Sequence, residues 1–283
     1  MTALAGRRVI VTGAAGGLGW PMAAACIREG AQVLFAGTDA GRLAAAIEKS
    51  GAAPGQAVAC VAELTDPAAP DALVAAARAA FGGVDALINN AGISAGSLRR
   101  DFWRNPVRFW EIDEAGYRRF FEINAISAIR LAAAVAPEMT ARGWGRIVNV
   151  TTSLSTMLAS GVGPYGASKA ALEAFTSTMA GDLAGTGVTV NVLAPGGPAD
   201  TPMLPAETGI PREALIPADC LAAPAVWLLS AEADGVTGRR FLGSKWDRTL
   251  PGATAAAAAG APVAWTGFGE QAKMPNAGAQ RAE

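Results

Sequence analysis

Two tyrosines occur in 283 residues, and one of them opens the run Tyr165-Gly-Ala-Ser-Lys169. On a helix, a spacing of four puts the phenol and the ammonium on one face. A phenol ordinarily keeps its proton until about pH 10. A cation held nearby favours the phenolate and moves the group toward the range of a general acid/base. The chain has no histidine. Ser-His-Asp and Cys-His systems, a histidine base and His-ligated metals are therefore excluded. Proton transfer near neutral pH falls to Tyr, Lys, Cys or a carboxylate, and the Tyr165/Lys169 pair is the leading candidate.

A second chemical signal lies near the start. Thr12-Gly13-Ala14-Ala15-Gly16-Gly17-Leu18-Gly19 follows an apolar run and precedes a helix expected from Trp20 or Pro21. Glycines let the backbone turn sharply and approach a ligand closely. The helix start then offers free N–H groups and a positive dipole end to a pyrophosphate. Gly13, Ala15, Gly16, Gly17, Leu18 and Gly19 are the candidate contacts.

These groups need a scaffold. Short apolar runs at Arg8–Val11, Gln32–Ala36, Ala57–Val61, Ala86–Ile88, Arg146–Val150, Thr189–Leu193 and Arg240–Leu242 read as strands. Helical stretches alternate with them at Gly41–Lys49, Pro67–Phe81, Ala115–Arg142 and Ser168–Leu183. Continuously apolar strands alternating with helices predict an α/β fold with a doubly wound parallel sheet, helices on both faces. Two segments break the pattern. Residues 96–113 interleave Arg99, Arg100, Arg104 and Arg108 with Phe102, Trp103, Phe109 and Trp110. From about Leu250 the chain is rich in Ala, Gly and Pro without clear periodicity, and reads as a tail that is mobile or wraps a neighbour.

The bulk properties narrow the partners. A formal net charge of −1 leaves no basic footprint for nucleic acid and no electrostatic drive onto a membrane surface. Cys26, Cys60 and Cys220 lack metal-ligand spacing and read as reduced thiols, so no metal site is expected. No signal-peptide region or spanning apolar run is expected, and the reading is a soluble cytoplasmic protein.

Taken in order, Thr12-Gly13-x-x-x-Gly17-x-Gly19, Asn89-Asn90-Ala91-Gly92, Glu122-Ile123-Asn124, Tyr165-x-x-x-Lys169 and Pro195-Gly196 resemble a classical short-chain dehydrogenase/reductase from about Gly6 to Leu242. The resemblance implies a Rossmann-type catalytic domain over 1–247 and a C-terminal extension over 248–283. It implies that Tyr165 gives or takes the proton at the substrate oxygen, and that Lys169 lowers its pKa and holds the nicotinamide ribose. Asn124 would anchor a water in the relay, while Asn90, Ala91 and Gly92 support the cofactor floor. The family's hydroxyl donor falls on Thr152 by spacing and on Ser153 by residue type, and both stay open. Pro195, Gly196 and Thr201 would meet the nicotinamide, with residues 201–217 as a substrate lid.

The cofactor is chosen at the end of the second strand, where a carboxylate binds the ribose 2′-OH and a basic residue a 2′-phosphate. The family's acidic position falls on Gly37 and the next on Thr38, followed by Asp39. Thr38 and Arg42 suit a phosphate and Asp39 opposes one. The reading is NAD, with NADP the alternative; Glu63 and Leu64 stand near the adenine. The expected function is an NAD(P)-dependent oxidoreductase interconverting a secondary alcohol and a ketone. The alternatives are a non-catalytic dinucleotide sensor or scaffold and, more remotely, an epimerase or dehydratase with bound NAD. Trp103 and Arg104 are the candidate substrate contacts in the arginine/aromatic segment. That segment suits an anionic substrate or a subunit contact. The family also implies a homodimer or homotetramer. Lys245 and Trp246 are noted as residues that could reach a pocket.

Overall fold

The computed structural model describes residues 2–265. Seven strands lie parallel: β1 (Arg8–Thr12), β2 (Gln32–Gly37), β3 (Ala57–Val61), β4 (Ala86–Asn89), β5 (Gly145–Val150), β6 (Val188–Ala194) and β7 (Arg239–Leu242). An eighth, β8 (Gly260–Pro262), pairs antiparallel with β7, giving the order β3-β2-β1-β4-β5-β6-β7-β8. Successive strand residues point to opposite faces, and here both faces are covered. Val9 and Val11 enter one core, while Ile10 between them enters the other. That double burial is why these strands read as unbroken apolar runs.

The first core lies under α1 (Gly19–Arg28), the helix that follows it and the last two helices of the described residues. The helices after α1 are α2 (Ala40–Ser50), α3 (Ala69–Phe81), α4 (Glu114–Phe121), α5 (Ser127–Ala141) and the single turn α6 (Leu154–Met157). They are followed by α7 (Pro164–Asp182), α8 (Ala222–Leu229) and α9 (Gly252–Ala259). The second core packs Leu73 of α3, Leu131 and Val135 of α5 and Met179 of α7 against the sheet. The strand order reverses at β1, which has β2 on one side and β4 on the other. Connections leave the carboxyl ends of β1 and β4 in opposite directions, opening a crevice there.

The expected single helix over 115–142 is in fact α4 and α5 joined by a π turn, Glu122–Ile126. Inserting one residue per turn re-aims the side chains on it, and Asn124 sits at its centre. The 114–141 stretch is long and apolar enough to cross a membrane by length and composition, against the expectation of no such run. Here Leu131, Val135 and Met139 on it pack into the second core.

The fold also continues beyond the expected boundary at 247. Ala255, Ala256 and Ala259 of α9 are buried against the first core, and β8 covers the edge of β7. A helix made mostly of alanine has no polar face, so its period leaves no trace in the sequence. The Trp246 ring packs 5.6 Å from Trp227 and 6.3 Å from Phe241 by centroid and lines a cavity with Trp20 and Trp227, whereas Lys245 is exposed and is not among that cavity's lining residues. The rest of the expected extension, 266–283, lies outside the described residues.

Candidate active site

The crevice between β1 and β4 is held open by one threonine. The Thr12 hydroxyl accepts from the backbone N–H groups of Asn90 and Ala91, both at 3.0 Å. In return the Asn90 side-chain amide donates to the carbonyls of Thr12 at 3.0 Å and Gly13 at 3.3 Å. The turn after β1 therefore has a fixed shape. Gly13 and Gly17 take positive φ, 65° and 53°. A Cβ at Gly19 would lie 2.6 Å from the Asn90 amide nitrogen and 2.9 Å from the Gly13 carbonyl carbon, so no other residue fits. Beyond it α1 begins with no side-chain cap and no acidic residue in its first turn. Its positive end is unneutralised.

That cradle fits a dinucleotide: glycines that allow close approach, and an open helix start for the pyrophosphate. Thr201 faces it from the far side, its Cβ 3.7 Å from where a Cβ at Gly17 would stand. Thr201 is buried, as the far wall of a cleft should be. At the end of β2, Asp39 caps α2 by accepting from the Arg42 N–H at 2.9 Å. The Arg42 guanidinium reaches back to within 3.4 Å of the Cβ position of Gly16. It thus joins the end of β2 to the glycine turn. Glu63 accepts from the Thr65 N–H at 3.3 Å just after β3, and Leu64 packs on the second core.

Helix α7 starts at Pro164, earlier than the expected Ser168, because proline suits a first helical position. Tyr165 is therefore helical, and Lys169 follows on the same face. Lys169 is buried and its ammonium donates to the Val150 carbonyl at 2.9 Å. Burial pulls its pKa down to about 8. Burial pushes the Tyr165 phenol above its ordinary value, with a hydrogen bond to the Thr152 side chain acting in the opposite direction. The expected lowering by Lys169 is absent from these influences; the ammonium is turned to the end of β5 instead.

Asn124 is buried on its π turn and spends its amide across the crevice. It accepts from the Ile93 N–H at 2.8 Å, and donates to the Ile93 carbonyl at 3.0 Å and to the Ser168 hydroxyl at 2.9 Å. Ser168 donates in turn to the Tyr165 carbonyl at 2.8 Å. One chain of bonds thus ties the Asn90–Gly92 turn to the first turn of α7. A Cβ at Gly92 would lie 2.9 Å from the Asn124 side-chain oxygen and 3.2 Å from the Lys169 nitrogen. Gly92, Asn124 and Lys169 converge on one point.

Thr152 and Ser153 part company. Thr152 is buried with its side chain beside the Tyr165 phenol. The Ser153 hydroxyl caps α6, 3.3 Å from the Thr156 N–H and 3.0 Å from the Ser155 hydroxyl.

The substrate side is built by two segments that clasp each other. Residues 199 and 216 form a short bridge that closes the base of the expected lid. Ala95 and Phe102 of the arginine/aromatic segment share a small core with Val162, and Leu204 of the lid packs on it. The Ser94 hydroxyl donates to the Met203 carbonyl at 2.9 Å, and Arg100 pairs with Glu207 at 2.6 Å. Arg104 lies over Gly209 of the lid, where its guanidinium occupies the space a Cβ would need. Arg99 bonds Asn105 and Pro106 within its own segment. These arginines are engaged at home and on the lid rather than aimed as a group into the crevice. Trp103 is half exposed, and Phe109 and Trp110 are 71% exposed each.

The profile of the short chain dehydrogenases matches residues 7–208, more than half of the chain. The chain belongs to the classical short-chain dehydrogenase/reductase family. It is 34% identical over 203 residues to the ketoacyl reductase HetN of Nostoc sp., spanning 72% of this chain and 67% of that one. It is 35% identical over 199 residues to the 1-deoxy-11-beta-hydroxypentalenate dehydrogenase of Streptomyces exfoliatus, spanning 70% and 69%. Among solved structures, a short chain dehydrogenase/reductase family protein superposes with a TM-score of 0.72 at 34% identity, covering 85% of this chain and 96% of that one.

In this member of the family, most of the residues picked out by spacing meet at one crevice. The glycine turn, Asn90–Gly92, Asn124, Thr152, Tyr165, Lys169 and Thr201 surround it; Ser153 caps α6, and Arg104 lies over Gly209 of the expected lid. Pro195 and Gly196 follow β6, with Gly196 at φ 96° against Ser244, whose N–H bonds the Pro195 carbonyl at 2.9 Å. Sequence reasoning passed over Ser168, the link between Asn124 and Tyr165. It also passed over a buried ladder in which the Asn89 amide donates to Asn149 at 2.9 Å, and the Asn149 amide to the Thr176 hydroxyl at 2.9 Å. The signal for both was present, as polar residues inside apolar strands or on the buried face of α7.

Proposed function

We propose that the protein is an NAD(P)-dependent oxidoreductase interconverting a secondary alcohol and a ketone, with Tyr165 as the general acid/base. The observation carrying this reading is the Tyr165 phenol, beside the Thr152 side chain and on the same helical face as Lys169. It sits at the carboxyl edge of the sheet beside a cradle shaped for a dinucleotide.

In the reductive direction, the ketone oxygen accepts hydrogen bonds from Thr152 and Tyr165. The bound nicotinamide supplies the hydride. As negative charge grows on the ketone oxygen, the phenol proton passes to it and leaves a phenolate. A phenol whose pKa is held up by burial is protonated at neutral pH, which suits a proton donor. Lys169, one helical turn from the phenol, holds the Val150 carbonyl at the end of β5, and Asn124 fixes the start of α7 through Ser168. Of the two hydroxyl candidates, Thr152 is favoured, because Ser153 is committed to capping α6.

The cofactor reading moves toward NADP. The Asp39 carboxylate is engaged as a helix cap, and Arg42 spans from the end of β2 to Gly16, where a 2′-phosphate is recognised. An anionic substrate loses support, since Arg99, Arg100 and Arg104 are bound within the segment and its lid. The reading includes a cytoplasmic enzyme assembling as a homodimer or homotetramer. Exposed Ile126 and Phe175, on the helices that carry Asn124 and Tyr165, support self-association. Turnover is tested by absorbance at 340 nm over a panel of ketones and alcohols. Tyr165→Phe is expected to keep cofactor affinity and lose on the order of a hundred- to ten-thousand-fold in kcat. Near-wild-type turnover by this variant would sink the mechanism.

A further inference from the structure

The end of β5 supplies the hydroxyl that meets the phenol, yet the sheet does not hold that hydroxyl. The Thr151 N–H makes the last ladder bond, to Leu193 at 2.9 Å, and α6 begins at Leu154. Thr152 stands in the gap between strand and helix, so its orientation is set by side chains that grip its neighbourhood.

Three do so, on three consecutive residues. Lys169 holds the Val150 carbonyl. Glu173 accepts from the Thr151 hydroxyl at 2.9 Å. Arg240 donates from its guanidinium to the Thr152 carbonyl at 3.1 Å. Glu173 and Arg240 are also paired with each other, oxygen to Nε at 2.8 Å, with side chains 4% and 14% exposed. Glu173 lies one helical turn beyond Lys169 and two beyond Tyr165, so the face of α7 that carries the reacting phenol also carries this carboxylate. Burying an ion pair costs several kcal/mol of desolvation, and an apolar pair of like volume commonly packs as well. A buried pair is therefore best explained by what its polar atoms hold, which here is the Thr151 hydroxyl and the Thr152 carbonyl.

The pair has a fourth member from the end of the chain. The Ala264 N–H lies close to the Glu173 carboxylate and favours its charged form. Ala264 is the one non-glycine residue with positive φ, 56°, among the described residues. Such a conformation persists only where its surroundings impose it. The register does so: β8 pairs Ala261 with Arg240, and the Val263 N–H bonds the Gly238 carbonyl at 3.0 Å. The next N–H is then turned onto Glu173.

We propose that the buried Glu173–Arg240 pair, flanked by Ala264, is a positioning device that orients Thr152 toward Tyr165. This makes the segment after β8 part of the support of the active site. The inference rests on the reading of Tyr165 as the acid/base. Glu173 and Arg240 touch no reacting atom and act through Thr152.

The test uses the full chain and its best ketone from the panel. Glu173→Gln is expected to keep cofactor affinity, leave substrate KM within a few-fold, and lower kcat on the order of 10- to 100-fold through misplaced Thr152. The double variant Glu173→Leu/Arg240→Leu separates positioning from stability. It is expected to melt at or above the wild-type temperature while its kcat stays low. Ala264→Pro, which removes the N–H and forbids the positive φ, is expected to lower kcat in the same sense by less. Wild-type kcat in Glu173→Gln, or a double variant that recovers kcat together with melting temperature, overturns the proposal. Either result leaves the Tyr165 mechanism standing, because that mechanism fails only if the wild-type protein shows no turnover or Tyr165→Phe loses none.

Discussion

The two halves of the crevice are built by different means. On the cofactor side, everything needed lies in short stretches at strand ends: Thr12 to Gly19 after β1, Asn90 to Gly92 after β4. Backbone N–H groups, a helix start and glycines at positive φ form the cradle, and one threonine hydroxyl fastens the two turns. On the substrate side, the parts come from far apart. Arg100 pairs with Glu207 across 107 positions, Phe102 packs with Val162 and Leu204, and Glu173 meets Arg240 and Ala264. A backbone-made site tolerates almost no added atoms. A side-chain-made site can be loosened in steps.

The sharpest way to break this contrast is at the glycine turn. Gly19→Ala places a Cβ against the Gly13 carbonyl and the Asn90 amide. It is expected to abolish detectable cofactor binding by fluorescence titration, and to cost about 2 kcal/mol of stability through overpacking. Wild-type affinity would show that the cradle is softer than its geometry.

Lys169 sits where the halves meet. Lys169→Met is expected to lose turnover yet gain stability in thermal or urea unfolding. Lowering the lysine pKa from 10.5 to about 8 corresponds to about 3 kcal/mol at most against the charged form. The folded pKa is the depressed one, so the unfolded chain holds the extra proton between about pH 8 and 10.5. The variant's advantage is therefore full below pH 8 and closes as the pH rises toward 10.5. An advantage that does not change over that range would assign it to packing instead.

Smaller effects sharpen the comparison. Arg42→Ala is expected to lower the preference for NADP over NAD on the order of tenfold, the worth of one charge-assisted bond. No change in the ratio of the two kcat/KM values would remove Arg42 from cofactor choice. Smallest is the lid: Arg100→Ala breaks an exposed pair. It is expected to leave melting temperature and cofactor affinity unchanged and to raise substrate KM slightly, since Phe102, Leu204 and Ser94 still hold the lid. A large drop in kcat would mean that lid closure is limiting.

Legibility followed the same divide. Strands β1, β2, β4, β5 and β6 were readable because each is buried on both faces and so largely apolar, whereas β3 and β7 are part-exposed and gave weaker runs. The start of α7 was missed by four residues, since Tyr165 belongs to the helix only through Pro164 at its first position. Helix α9 was missed because alanine on every side leaves no period. The choice between Thr152 and Ser153 stayed open because both are hydroxyl residues after a strand. Only the cap of α6 and the position of α7 separate them.

The sequence by itself determined the family, the parallel sheet, the cradle and the pair Tyr165/Lys169, because each depends on spacing within one strand, turn or helix. Tertiary structure decided which hydroxyl meets the phenol, where the arginines are spent, and that the run after 247 completes the sheet and reaches Glu173. Those are contacts between segments distant in the chain, and their partners are chosen by how the layers pack rather than by any local pattern.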